Sequence, residues 1–299
     1  MYPFPEECNL IMTKFINTIC LISISILATV VHGEESNNLR VEEFLIIGTK
    51  ADKQRLAGSG IQIDAELIEK HAYSDLNQVI SLSPGVYVRE EDGYGLRPNI
   101  GIRGATAERS QKITLMEDGV LIAPAPYAAP AAYYMTNASR LYSLEVLKGP
   151  AAIAYGPHTV GGAVNMVTRP AQWSDSTEFR YTGGTDNFQI LSAMGERVIG
   201  DLSFQVDALR YSSDGFKELT NGADTGFVRN DLNIKAHWKP ETELKQSIIL
   251  KLGYADELSN ETYLGLTDLD FDTNPTQRYP ASQQDSFDSD HSQIHLSHL

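Results

Sequence analysis

Cysteine is almost missing from this chain. Its 299 residues hold two, Cys8 and Cys20, and both fall inside an apolar leader. With that leader removed, no thiol is left for a disulfide framework or a thiolate metal site. Neither cysteine follows a lipoprotein-type small-residue site, so no lipid anchor is expected. Basic charge is also scarce: 24 Lys and Arg stand against 39 Asp and Glu, giving a net charge of −15. Binding to nucleic acid needs clustered cations, so a nucleic-acid partner is excluded. Beyond residue 31 no apolar run is long enough to cross a bilayer as a helix. The one long run, Phe15 to Val31, follows Lys14 and ends at the small-residue site Val31-His32-Gly33. It reads as an export signal over residues 1–33. Glu6 and Glu7 are the wrong charge for a signal's basic start, so Met12 is a candidate true start.

Residues 49–171 intermix helix and strand signals, as a small sheet with packed helices does. Asp64 caps a helical turn running to Lys70. A second short helix over Ser74–Ile80 stops before the Pro84-Gly85 turn. Strands are expected at Val86–Val88, Lys112–Met116, Leu144–Leu147 and Val164–Thr168. The Asp118-Gly119 pair marks a hairpin turn. After Pro170 the pattern changes to a two-residue period with no helix signal. Strands of about ten residues are read near 177–185, 188–197, 201–212, 226–238, 243–255 and 285–299. Long links over Ser213–Thr225 and Asp256–Gln284 alternate with short ones at Val198–Gly200 and Lys239–Thr242. Membrane barrels have this asymmetry, with short periplasmic turns and long external loops.

Several short motifs recur in a fixed order. They are Gly101-Ile102-Arg103-Gly104, Met116-Glu117-Asp118-Gly119, Glu145-Val146-Leu147-Lys148-Gly149-Pro150, Tyr155-Gly156-Pro157 and Gly161-Gly162-Ala163-Val164-Asn165. In order and spacing they resemble the plug domain of TonB-dependent outer-membrane receptors, which import scarce nutrients, mostly ferric chelates. The resemblance implies an α+β plug followed by the first antiparallel strands of a transmembrane β-barrel. A plug of this size is roughly 35 Å across. Enclosing it takes a barrel of about 22 strands, against about six read here, so the chain is expected to be the first part of a longer protein or the product of a truncated gene. Expected domains are the signal at 1–33, a periplasmic segment at 34–48, the plug at 49–171 and the barrel start at 172–299.

The resemblance also assigns roles. Glu43, Phe44, Leu45, Ile46 and Ile47 take the place of a Ton box, the handle gripped by TonB. An extended peptide of this kind can add as a strand to a partner sheet; the alternative is a first edge strand of the plug. Within the superfamily the chain resembles ferric dicitrate receptors, through the motifs around Arg103, Ala125–Pro130, Tyr155–Gly162 and Glu261–Asp268. Ferric dicitrate is anionic, and arginine meets carboxylates two bonds at a time. Arg97 and Arg103, around the Gly93-Tyr94-Gly95 loop, are the candidate cations. Arg103 matches a ligand-contacting arginine, and Tyr94 stands where those receptors place a small hydroxyl residue. The competing role for Arg103 is a salt link to a barrel carboxylate. Ala129 replaces a ligand-contacting glutamine, which departs from the citrate pattern. Glu145 and Lys148 are expected to link plug to barrel, against the alternative of a solvated strand face.

Other motifs lead elsewhere. The glycines at 93, 95, 101 and 104 do not open a helix after a strand, so no nucleotide loop is read. Asp268, Asp270 and Asp272 imitate a calcium loop, but Thr273 and Tyr279 replace its required Gly and Glu. His291 and His295 share one strand face and His298 takes the other. No nucleophile–base or carboxylate constellation stands out, so neither an enzyme nor a resident cofactor is expected. Expected partners are TonB, a ferric chelate and outer-membrane lipid, with the protein a monomer in the outer membrane of a Gram-negative cell. The rival classes are a non-transporting plug-like binding module and an inactive remnant of a receptor gene.

Overall fold

The structure is a computed structural model that describes residues 45–47, 56–122, 133–156, 158–243 and 246–299. The expected signal, Glu43, Phe44 and the Ala125–Pro130 loop with Ala129 lie outside the described residues.

The first body is an α+β globule. Its strands are β1 (Ser59–Ile63), β2 (Val86–Arg89), β3 (Asn99–Ile102), β4 (Ile113–Glu117), β5 (Val120–Leu121), β6 (Leu141–Lys148) and β7 (Gly162–Thr168). Helices α1 (Ala65–His71) and α2 (Leu76–Ser81) sit between β1 and β2. Five strands form one sheet in the order β1-β6-β7-β4-β5, and β2 pairs with β3 separately. Asp64 caps α1 by accepting from the Leu67 N–H at 3.1 Å. Asp75 caps α2, so that helix begins later than its sequence suggests: Asp75 accepts from Asn77 N–H at 2.7 Å and holds residue 74 outside. The core gathers Val79 and Ile80 of α2, Ile100 and Ile102 of β3, Leu144 and Val146 of β6, and Val164 and Met166 of β7.

A six-stranded antiparallel sheet follows, in plain sequence order: β8 (Ser176–Gly183), β9 (Gln189–Ile199), β10 (Leu202–Ser213), β11 (Phe227–Trp238), β12 (Ile248–Ser259) and β13 (Phe287–His298). Five of these lie within a few residues of their expected places. The fifth is displaced: β12 runs 248–259, not 243–255. Its partner sets the register, since Phe227 pairs with Ser259 and Trp238 with Ile248. The β11–β12 link is longer than expected as a result. The long link between β12 and β13 also holds a short helix the sequence did not suggest, α3 (Asp268–Thr273), capped by Thr267. Asp270 there bonds Thr267 and Tyr279.

The two faces of this sheet invert the usual soluble pattern. Arg229, Asp231, Asn233, Lys235 and His237 are all under 10% exposed on β11, whereas Ile234 is 38% and Trp238 43% exposed. Phe204, Val206, Leu250, Leu252 and Tyr254 face outward on neighbouring strands. An apolar outer face and a polar inner face are what a barrel wall in lipid requires. Among the described residues no helix is long and apolar enough to cross a membrane.

Candidate functional site: the plug–wall interface and the docked N-terminal segment

The polar inner face of the wall meets its counterpart on the globule at β4 and the turn after it. Glu117 ends β4, and Asp118-Gly119 turns the chain into β5 with φ of 51° and 77°. Both central residues being left-handed makes this a type I′ turn, the usual two-residue hairpin geometry. Glu117 and Asp118 are 2% and 3% exposed. Lys251, from β12, bonds both: its ammonium lies 2.6 Å from Asp118 and also donates to Glu117. Arg140 reaches Glu117 at 2.7 Å and Asp231 of β11 at 3.3 Å. Thr136 and Gln293 also donate to Glu117. Asp118 further accepts from the Thr168 N–H and hydroxyl, each at 2.7 Å. The Lys235 ammonium donates in turn to the Thr168 hydroxyl at 2.9 Å.

Burial pushes the Glu117 carboxyl up, but Arg140 and Lys251 outweigh it and hold it well below the usual carboxylate range. The same contest at Asp118 is decided downward by Lys251 and Lys235. Burial would lower the Arg140 guanidinium, yet Asp231 and Glu117 raise it well above its ordinary value. These groups therefore stay ionised, and charged pairs with few unmet bonds seam globule to wall.

At the end of the wall where the long links emerge, residues 92–97 form a tight loop. Asp92 accepts from the N–H groups of Tyr94 at 2.6 Å, Leu96 at 3.2 Å and Arg97 at 3.1 Å. Tyr94 packs among Phe216 and Phe227, and its hydroxyl lies 3.1 Å from that of Ser213. Arg97 bonds Glu257 of β12 at 2.5 Å and lies over the Phe287 ring. Of the two candidate cations, Arg97 is thus the one that pairs with a wall carboxylate. Arg103 does not join this loop. It is exposed, has a φ of 52°, and stands beside Gly149 with its charge acting on Lys148.

Glu145 and Lys148 are placed differently from the expected plug–barrel link. Lys148 donates to the Pro84 carbonyl. Glu145 is fully buried and accepts from the Ile46 N–H at 2.7 Å, the Ile47 N–H at 3.1 Å and the Asn165 amide at 2.9 Å. The physical reason is position. Glu145 lies mid-strand in β6, whose neighbours are β1 and β7, so its carboxylate meets the sheet and the segment laid on it. The wall is met instead by the β4–β5 turn and the 134–140 stretch. The Tyr155 hydroxyl holds the Ile46 carbonyl at 3.0 Å, and Ile47 is buried with Met116, Leu147, Ala152 and Ala163. Leu45 packs beside Val167 and Ile249.

The wall contacts of Glu117, Asp118 and Arg140 were not read from the sequence. Met116–Gly119 was visible as a motif but explained as a turn. The signal available was a pair of adjacent acids at a hairpin tip, matched by lysines recurring on one face of later strands.

A sheet-bearing globule with its charged tip seated on the polar face of an apolar-backed antiparallel wall has the architecture of a plug set against a barrel wall. Residues 52–163 match the family described as "TonB-dependent Receptor Plug Domain", so this stretch of the chain is a plug domain of that kind. Among curated proteins it is 25% identical over 191 residues to the vitamin B12 transporter BtuB of Photobacterium profundum, covering 59% of this chain and 30% of that one. The chain therefore spans about a third of that relative's length. Among solved structures it is similar in fold to the ferric citrate transporter FecA in the unliganded form, with a TM-score of 0.68, 22% identity, and 84% of this chain and 38% of that one covered. The ferric enterobactin receptor PfeA of Pseudomonas aeruginosa gives 0.56 at 18% identity, covering 83% of this chain and 39% of that one.

Proposed function

We propose that this chain is the plug and first wall of an outer-membrane importer for a ferric chelate, driven by TonB through residues 43–47. The observation that carries the reading is the plug itself, tied by buried ion pairs to a wall whose outer face is apolar. The outer membrane has no ATP, so work must arrive mechanically from the inner membrane, where one charge crossing 100 mV yields about 2.3 kcal/mol. The domain division that goes with this reading is a signal at 1–33, a periplasmic segment carrying the handle at 34–48, the plug at 49–171 and the barrel start at 172–299.

For the ligand, Arg103 remains the leading contact. It is exposed and lies beside a second cation, Lys148, a pairing suited to carboxylate or other anionic oxygens. Tyr94 and Arg97 serve the site by fixing the apical loop rather than by offering free donors. Ferric dicitrate is one candidate; Ala129 weakens it, since alanine offers no hydrogen bond. The curated B12 transporters make cobalamin the competing ligand. In the complete receptor, deleting residues 43–47 is expected to abolish uptake and spare binding; uptake that survives removes TonB coupling. A fluorescence-quenching panel of ferric dicitrate, a ferric catecholate and cobalamin separates the ligands, and binding of cobalamin alone overturns the ferric assignment.

A further inference from the structure

Two polar systems described above share one side chain. The Asn165 amide nitrogen donates to the Glu145 carboxylate that holds Ile46 and Ile47, at 2.9 Å. Its oxygen accepts from the Gly119 N–H, also at 2.9 Å. Gly119 completes the type I′ turn whose other member, Asp118, is anchored by Lys251 of the wall. Asn165 is fully buried in β7 and pairs in register with Glu145 on one side and Met116 on the other. A primary amide is suited to this place, because it donates to a carboxylate and accepts from a backbone N–H with opposite ends of one rigid plane.

We propose that Asn165 is a positioning residue that couples the docking of residues 46–47 to the plug–wall ion pairs at Asp118. In one direction, loss of the Asp118–Lys251 bond loosens the turn, frees the Asn165 oxygen and weakens the hold of Glu145 on the segment. In the other, drawing Ile46 and Ile47 out strips Glu145 of two donors, turns its charge on Asn165 and disturbs the Gly119 turn. Coupling of this kind is reciprocal, so the segment is presented when the wall contact yields, and the wall contact yields when the segment is drawn. The inference deepens the importer reading and rests on residues 43–47 being the gripped handle.

The Ile46 and Ile47 amides report the docked state directly, through hydrogen exchange in the complete receptor. Lys251→Met is expected to speed their exchange roughly tenfold, equivalent to about 1.4 kcal/mol, the low end for losing a hydrogen bond to a charged group. In an Asn165→Ala background, the same Lys251→Met change should add less than about twofold. An equal acceleration in both backgrounds, or none in either, overturns the coupling. Asn165→Asp keeps the acceptor for Gly119 and loses the donor to Glu145; it should free residues 46–47 while Gly119 stays protected. Acceleration spread evenly over β6, β7 and β10 in that variant would mark general loosening and also overturn it. Cross-linking Leu45→Cys to a TonB periplasmic domain tests the handle separately: coupled exchange without a cross-link leaves the relay standing and refutes only the partner.

Discussion

Removing Lys251 would leave Glu117 and Asp118 buried and poorly compensated. Breaking a buried pair from one side costs about 3–5 kcal/mol, so Lys251→Met is expected to lower the plug's unfolding midpoint strongly. Adding Asp118→Asn should recover part of the loss, as read by calorimetry in detergent. A second carboxyl behaves oppositely. Asp75 is buried beside Glu90 and Asp92, and burial followed by Glu90 lifts its pKa to about 7. A raised acid keeps its proton in the folded state after the unfolded chain has lost it. Its cost is therefore absent below about pH 4 and grows as pH climbs toward 7, by at most about 1.4 kcal/mol per unit. Glu117 and Asp118, held low, contribute stability above about pH 4 that is lost on acidification. Asp75→Asn keeps a capping oxygen for Asn77 and should flatten the decline between pH 4 and 7, leaving the acid limb intact; a melting series across pH checks both limbs.

Elements whose signals are local were legible. Asp64 before an apolar-periodic stretch gave α1, and Asp118-Gly119 gave the hairpin. Alternation gave the wall, because its apolar outer face and the polar inner face turned to the plug differ at every second residue. The β12 start was not legible: Leu244 between Glu243 and Lys245 imitates the start of an alternating strand, and only pairing with β11 places the start at Ile248. Strands β1 and β3 went unread, since Ser59–Ile63 and Asn99–Ile102 are too short to show a period. At the site, Glu145 and Lys148 stood out as a motif, but which neighbour a mid-strand acid meets depends on sheet order, here β1-β6-β7-β4-β5. Gly162 shows how tight that order is: a Cβ there would lie 2.3 Å from the Leu147 carbonyl oxygen, at a φ of 150°. Gly162→Ala is expected to destabilise the β6–β7 pair by about 2 kcal/mol or more, seen as faster exchange in those strands and unchanged exchange in β10–β11.

At the scale of the whole molecule, the described plug and wall meet through buried charge contacts and through a smaller apolar cluster of Tyr94 and Leu96 with Ile190, Leu209, Tyr211 and Phe227. The largest apolar cluster lies almost wholly within the plug. Two separable transitions are therefore expected. Arg140→Met together with Lys251→Met should let the plug open at a lower urea concentration, followed by tyrosine emission, than the wall, followed by emission from Trp173 and Trp238. A single shared midpoint in that double variant would contradict the division. The Lys251 contacts also span a long stretch of chain, 134 residues to Glu117 and 133 to Asp118. During synthesis the β4–β5 acids emerge long before their lysine. Until β12 is laid down the two acids lack this cation, so the tip can be pinned to the wall only after residue 251 has joined the sheet. Assembly would then end at this seam, with the oldest-made acids waiting for the youngest-made lysine.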